Sequence, residues 1–167
     1  MGRNCAGKAR FWIAGQKPAY LLDTLTAYAL RKRSSGVMST AASRIDPATM
    51  RALANHYAGL STLSEDRPPT MTAADVAADR ASAERIVDKG MPELDLPACA
   101  KCHAAGKRPD YPILAGQKAT YLAQRLRQWR GDPNVVDARK PTDSMPMIAR
   151  RIPENMIEPL ARLYAQR

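Results

Sequence analysis

The chain of 167 residues is short of several residue types, having one Phe, two His, three Cys and two Trp. One Phe among thirteen Pro excludes a large aromatic core. No apolar run approaches the roughly 18 residues that a membrane-spanning helix needs. Strand-like alternation is missing throughout, so the expected elements are helices. Acidic residues are scarce at the front of the chain. Residues 1–63 carry nine Lys or Arg against two Asp, a net of +7, whereas residues 64–75 carry −2 and residues 76–167 carry +5. The overall charge of +10 suits an acidic protein partner or an anionic membrane surface. Nucleic acid is not expected, because no recognition motif or interleaved aromatic stripe accompanies the charge.

What the chain does contain is concentrated in five residues, Cys99-Ala100-Lys101-Cys102-His103. Two thiols three positions apart can each add across one vinyl group of a porphyrin, and the histidine that follows then sits under the iron. This is the attachment pattern of haem c. Zinc is the rival use of such a pair, but a structural zinc site needs a second ligand pair. Only Cys5 and His56 remain, alone and far apart. A domain of about 90 residues is marginal on side-chain burial alone, and a bound haem would supply the missing apolar surface.

The second feature is an internal repeat. Ala14-Gly15-Gln16-Lys17 recurs as Ala115-Gly116-Gln117-Lys118, and at the same offset of 101 Tyr20-Leu21 matches Tyr121-Leu122. Leu25 likewise matches Leu126, and Tyr28 matches Trp129. The offset then becomes 107, with Met38 matching Met145, Ala42 matching Ala149, Arg44-Ile45 matching Arg151-Ile152 and Tyr57-Ala58 matching Tyr164-Ala165. Identities in order at two constant offsets point to a duplication with six extra residues in the second copy. The counterpart of 99–103 would fall at or before Met1, so the first copy lacks its attachment motif. Cys5 is followed by neither a second Cys nor a His and reads as a free thiol.

Apolar spacing predicts helices over 17–31 and 118–130. Asp46-Pro47 predicts an N-cap and first helical residue for a helix to about Gly59, and Pro153 opens another over 154–166. A further helix is expected over 73–89, ended by Gly90. The polar, proline-rich run Ser64 to Thr70 reads as a linker. Helices 76–89 and 154–166 are expected to cross near Tyr164, against small residues such as Ala81 or Ser82.

Together these features resemble the dihaem class I cytochromes c of the cytochrome c4 type, whose two similar domains each bind one haem. The resemblance implies an all-α class I cytochrome c fold, in tandem duplication with the first copy truncated. Residues 1–63 would be the truncated copy, 64–75 the linker and 76–167 the complete domain, including the stretch Tyr111 to Gln117. It implies one covalent haem c held by Cys99, Cys102 and His103, with a methionine as second iron ligand. Met145 and Met147 are both candidates, and the family's spacing of four residues before an alanine selects Met145, before Ala149. Met156 reads as core packing. The resemblance assigns the carbonyl that orients His103 to Pro112, where the first copy has Phe11. Gly116 is expected either to allow close backbone approach to the haem or to make a turn. Arg139 or Lys140 is expected either to offset propionate charge or to belong to a solvated basic loop, Tyr121 and Trp129 would pack in the haem pocket, and His56 reads as structural.

A His/Met iron has no open position, so the expected function is electron transfer and not enzyme catalysis. The expected setting is a periplasmic respiratory chain, with acidic partners such as an oxidase, reductase or dehydrogenase. The family attaches haem outside the bacterial cytoplasm, yet no signal-peptide stretch follows Met1 to Cys5. Three other readings remain open: a haem enzyme or gas sensor with a labile methionine, a haem subunit docked on a dehydrogenase or oxidase through residues 1–63, and a truncated product without function.

Overall fold

A computed structural model of the chain describes residues 12–33, 35–61, 73–131 and 144–167. The helices are α1 (Pro18–Ala29), α2 (Gly36–Ala42), α3 (Pro47–Ala58), α4 (Ala73–Lys89), α5 (Ala100–His103), α6 (Ala119–Arg130), α7 (Ser144–Arg151) and α8 (Glu154–Gln166). Among the described residues the one extended pairing is an antiparallel bridge between Met91 and Leu96.

Local chemistry sets the helix starts. Pro18 follows an extended Lys17 and contributes the fixed φ that a first helical residue needs. Asp46 Oδ1 accepts from the backbone N–H groups of Ala48 (2.9 Å) and Thr49 (3.0 Å), which fixes the start of α3 as expected. Ser35 Oγ accepts from Met38 N at 3.2 Å and opens α2, a helix that apolar spacing alone does not announce.

Two sets of helices result. In one, α1 packs on α2 and α3 around buried Tyr20, Leu21 and Ala54. In the other, α8 packs on α4 and α6, while α7 packs on α6. That second core is larger, with Ile86 and Val87 of α4, Leu122 and Ala123 of α6, and Ile157, Leu160, Ala161 and Tyr164 of α8. The small residue that lets α4 approach α8 is Ala83, fully buried, while Ala81 is exposed and Ser82 half-buried. The expected crossing residue is therefore displaced by about half a turn, because burial follows the stripe of Ala83, Ile86 and Val87. Corresponding bonds occur in the two sets. Gly15 N donates to Tyr57 O at 3.0 Å, and Gly116 N donates to Tyr164 O at 2.9 Å.

Gly90 ends α4 as expected, at φ +79°. The chain then doubles back through the Met91–Leu96 bridge, and a Cβ on Gly90 would lie 2.3 Å from the Leu96 carbonyl oxygen. This tight reversal delivers the chain to Cys99.

Replacing Gly90 by Ala should therefore lower stability by about 2 kcal/mol or more in thermal unfolding. Gly106→Ala, where a Cβ meets nothing within 4 Å, should stay within about 0.5 kcal/mol. In native-state hydrogen exchange, amides of α3 should open at lower free energy than those of α8. The reason is that α3 belongs to the smaller core. Equal protection of both helices would contradict that ordering.

Candidate functional site

The single turn α5 gathers three side chains. Cys102 N and His103 N both bond to the Cys99 carbonyl, at 3.2 and 3.1 Å. Residues three and four apart in such a turn share a face, so Cys99, Cys102 and His103 point the same way. Both sulfurs are free thiols, each half-buried. Cys99 lies against the larger core beside Tyr164, and burial pushes its thiol up to about 11.

His103 is 6% exposed, and its Nδ1 lies 2.9 Å from the Pro112 carbonyl oxygen. A carbonyl can only accept, so Nδ1 holds the proton and Nε2 keeps a free lone pair. Burial depresses the imidazole pKa, the bond to Pro112 opposes that, and the cation of Lys17 adds to the depression. The ring is thus kept neutral, in the tautomer that a metal ligand requires.

The loop after His103 reaches α7. The Tyr111 ring is tilted against His103, with centroids 5.9 Å apart, and its hydroxyl lies 3.3 Å from Ser144 Oγ. Ser144 begins α7, and Met145 follows it directly. Met145 shares a helix face with fully buried Ala149 four residues on and is itself half-buried. Met147 lies on another face, 43% exposed, and lines a cavity of about 590 Å³ with Lys89, Leu96, Pro97 and Ile148. The end of α7 is fixed by Arg130 Nη1, which donates to the carbonyls of Ala149 and Ile152, and by Arg151, which bonds to Asp95.

Other residues singled out by sequence find varied places. Gly116 has φ +72°, a turn conformation that favours glycine, and no protein atom lies within 4 Å of its Cβ position. Tyr121 packs partly on the larger core, and its hydroxyl accepts from Arg33 Nη2 at 3.1 Å. Trp129 lies under the guanidinium of Arg125. Met156 is buried in the core as expected. His56 is exposed and sits edge-on to Tyr57. Cys5, Phe11, Arg139 and Lys140 lie outside the described residues. Among the described residues, no three His, Cys, Asp or Glu side chains gather as a metal cage, and no helix is long and apolar enough to cross a membrane.

Two residues were noticed in the sequence only as part of the repeated Ala-Gly-Gln-Lys. Gln16 donates from Nε2 to the Ile113 carbonyl at 2.8 Å and accepts from Ile113 N at 3.0 Å. Its counterpart Gln117 makes the reciprocal pair, donating to Trp12 O at 3.1 Å and accepting from Trp12 N at 2.9 Å. Lys17 Nζ donates to the carbonyls of Ala104 (3.2 Å), Lys107 (2.9 Å) and Arg108 (2.9 Å). The tetrapeptide's recurrence was the available signal, since a surface loop has no need of identical polar residues.

No family model matches the chain. It is 35% identical over 142 residues to the thiosulfate dehydrogenase electron acceptor of Thiomonas intermedia (strain K12), covering 80% of this chain and 62% of that protein. To the protein of the same description from Stutzerimonas stutzeri (strain A1501) it is 30% identical, covering 99% of this chain and 73% of the relative. To cytochrome c4 of Thiocapsa roseopersicina it is 31% identical, over 73% of this chain and 64% of that one. The chain thus spans about six-tenths to three-quarters of the length of these relatives. In fold it resembles the cytochrome c4 structure of Acidithiobacillus ferrooxidans, at a TM-score of 0.74 and 24% identity over 92% of this chain and 86% of that one. With an all-helical architecture, free thiols beside a buried imidazole, and these relatives, the chain belongs to the cytochrome c4 family of c-type cytochromes, electron-transfer proteins that carry covalently bound haem c.

Proposed function

We propose that Cys99 and Cys102 anchor haem c through two thioethers, that His103 Nε2 is one iron ligand, and that the Met145 thioether is the other. The observation that carries this reading is the 2.9 Å contact of His103 Nδ1 with Pro112 O, on the same turn as two free thiols. These donors fit the group, being soft sulfur and neutral nitrogen with the second ring nitrogen already engaged. Haem c bound there supplies a one-electron ferric/ferrous couple. Pro112 holds the imidazole in one orientation, so little need move between oxidation states. A neutral thioether at Met145 favours the ferrous state and raises the potential relative to a second imidazole. Met145 is preferred over Met147 because it lies on the face of α7 that is buried at Ala149.

With His103 and Met145 both serving as iron ligands, no position would be left for a substrate, and we read the chain as an electron carrier of a respiratory chain, organised as 1–63, 64–75 and 76–167. Two relatives are described as thiosulfate dehydrogenase electron acceptors, which supports a dehydrogenase of that kind as electron donor. The excess of basic residues favours an acidic docking face on the donor, and on an oxidase or reductase that takes the electron onward. An anionic membrane surface would be attracted by the same charge. Covalent haem attachment in this family supports a periplasmic location.

Carbon monoxide titration of the reduced holoprotein tests the reading, because a six-coordinate carrier should bind it slowly or not at all. Ready binding by the native protein would mean an open iron and refute the assignment. Met145→Ala should bind carbon monoxide readily and lose more than ~59 mV of midpoint potential, tenfold in the one-electron equilibrium. Met147→Ala should keep both properties of the parent. An exchange of these two phenotypes would place the ligand at Met147.

A further inference from the structure

Lys17 precedes α1, yet its ammonium lies in the loop that leads away from His103. All three of its N–H donors have a backbone acceptor, at Ala104, Lys107 and Arg108. The residue is 9% exposed. Its acceptors are neutral carbonyls, so their dipoles hold the charge in place without cancelling it. The nearest acidic influence is Asp110, which is itself paired with Arg108 at 3.5 Å. The preceding residue, Gln16, grips both backbone groups of Ile113, which follows Pro112. One dipeptide from the α1–α3 half therefore holds the imidazole's loop on both flanks, at 104–108 and at 113. The sequence counterpart Lys118 instead places its Nζ 4.4 Å from the centre of the Trp12 ring.

We propose that Lys17 is a positioning and redox-tuning residue for the iron ligated by His103. Held beside the residue that follows His103, its charge raises the reduction potential, and its three bonds fix the loop that sets the imidazole. Taking up one electron removes one unit of positive charge from the iron site, so a fixed neighbouring cation favours the reduced form. Burial limits screening by salt, which separates this cation from the basic residues on the surface. The proposal rests on the haem reading above.

Equilibrium redox titration of the full holoprotein tests it, comparing Lys17→Met, Lys17→Arg and the parent. Lys17→Met should lower the ferrous-to-ferric ratio at the parent's midpoint about tenfold, a shift of ~59 mV. Lys17→Arg should stay nearer the parent, and both relations should persist from about 10 mM to 1 M salt. A folded Lys17→Met with the parent's potential would overturn the proposal, as would equal shifts in the Met and Arg variants. Should Lys17→Met fail to fold, Lys17→Gln serves in its place. In the unaltered protein, the Lys17 ammonium protons should exchange slowly by NMR, and free exchange would count against the proposal. A parent lacking covalent porphyrin would sink the haem assignment itself. Covalent haem with an unmoved potential would sink only the tuning.

Discussion

A histidine ring has two nitrogens, and the one that keeps the proton decides what the other can do. In this protein the choice is made by a proline carbonyl nine residues away, 2.9 Å from His103 Nδ1. Much of the surrounding structure serves to keep that distance. Gly90 turns the chain sharply so that Cys99 follows the Met91–Leu96 bridge, and the turn of α5 sets the thiols beside the ring. Gln16 holds Ile113, Tyr111 lies against the ring, and α8 covers the thiol side through Tyr164. Loss of the bond to Pro112 would free the ring to rotate and to change tautomer, and the lone pair would no longer be aimed.

The smaller half of the molecule is held by a different balance. Among its described residues only Tyr20, Leu21, Ala42, Met50 and Ala54 are buried apolar side chains, too few to stabilise such a segment alone. Polar contacts with the other half make up part of the difference. The two glutamines exchange four bonds with backbone groups, and Lys17 and Arg33 bring charged donors to acceptors across the same contact. Neutral bonds of this kind each contribute about 1 kcal/mol, and charged ones about 1.5–3. Their larger effect is specificity, because leaving Lys17 or Arg33 buried without these acceptors would be costly. The halves are therefore fixed to each other in one arrangement.

Most of this was readable in the sequence where the cause is local. Apolar spacing and caps announced α1, α3, α4, α6 and α8 within a residue or two, because propensity and burial agree there. The motif at 99–103 stands out by its spacing alone, and the structure places its two thiols and its imidazole on one turn. The short helices α2 and α7 were not foreseen. Each is under three turns, too short for periodicity to show, and α2 depends on a single capping bond from Ser35. Ala83 was missed in favour of Ala81 or Ser82 because all three are small, and their burial against the facing helix distinguishes them. Lys17 and Gln16 escaped assignment for a different reason. Their partners lie about 90 to 100 residues away, and no local pattern encodes such a contact.

The distribution of charge follows from the same division of roles. Around α8 many basic groups are already engaged, with Arg127 and Arg130 on Glu154, Arg127 on Glu158, and Arg167 on Asp88. Such exposed pairs add little stability, but they flatten the long-range field on that side. Residues 1–63 have only Asp23 and Asp46 as acids, and Asp46 is committed to capping α3. Buried Lys17 and Arg33 act at short range, so the cations of that half which face solvent, among them Arg31, Lys32, Arg44 and Arg51, dominate the outward potential. An acidic surface approaching through solvent would consequently be drawn first toward the α1–α3 half, while His103 and Met145 lie in the other. The Gln16–Lys17 contact joins the half that carries this field to the loop that bears on His103.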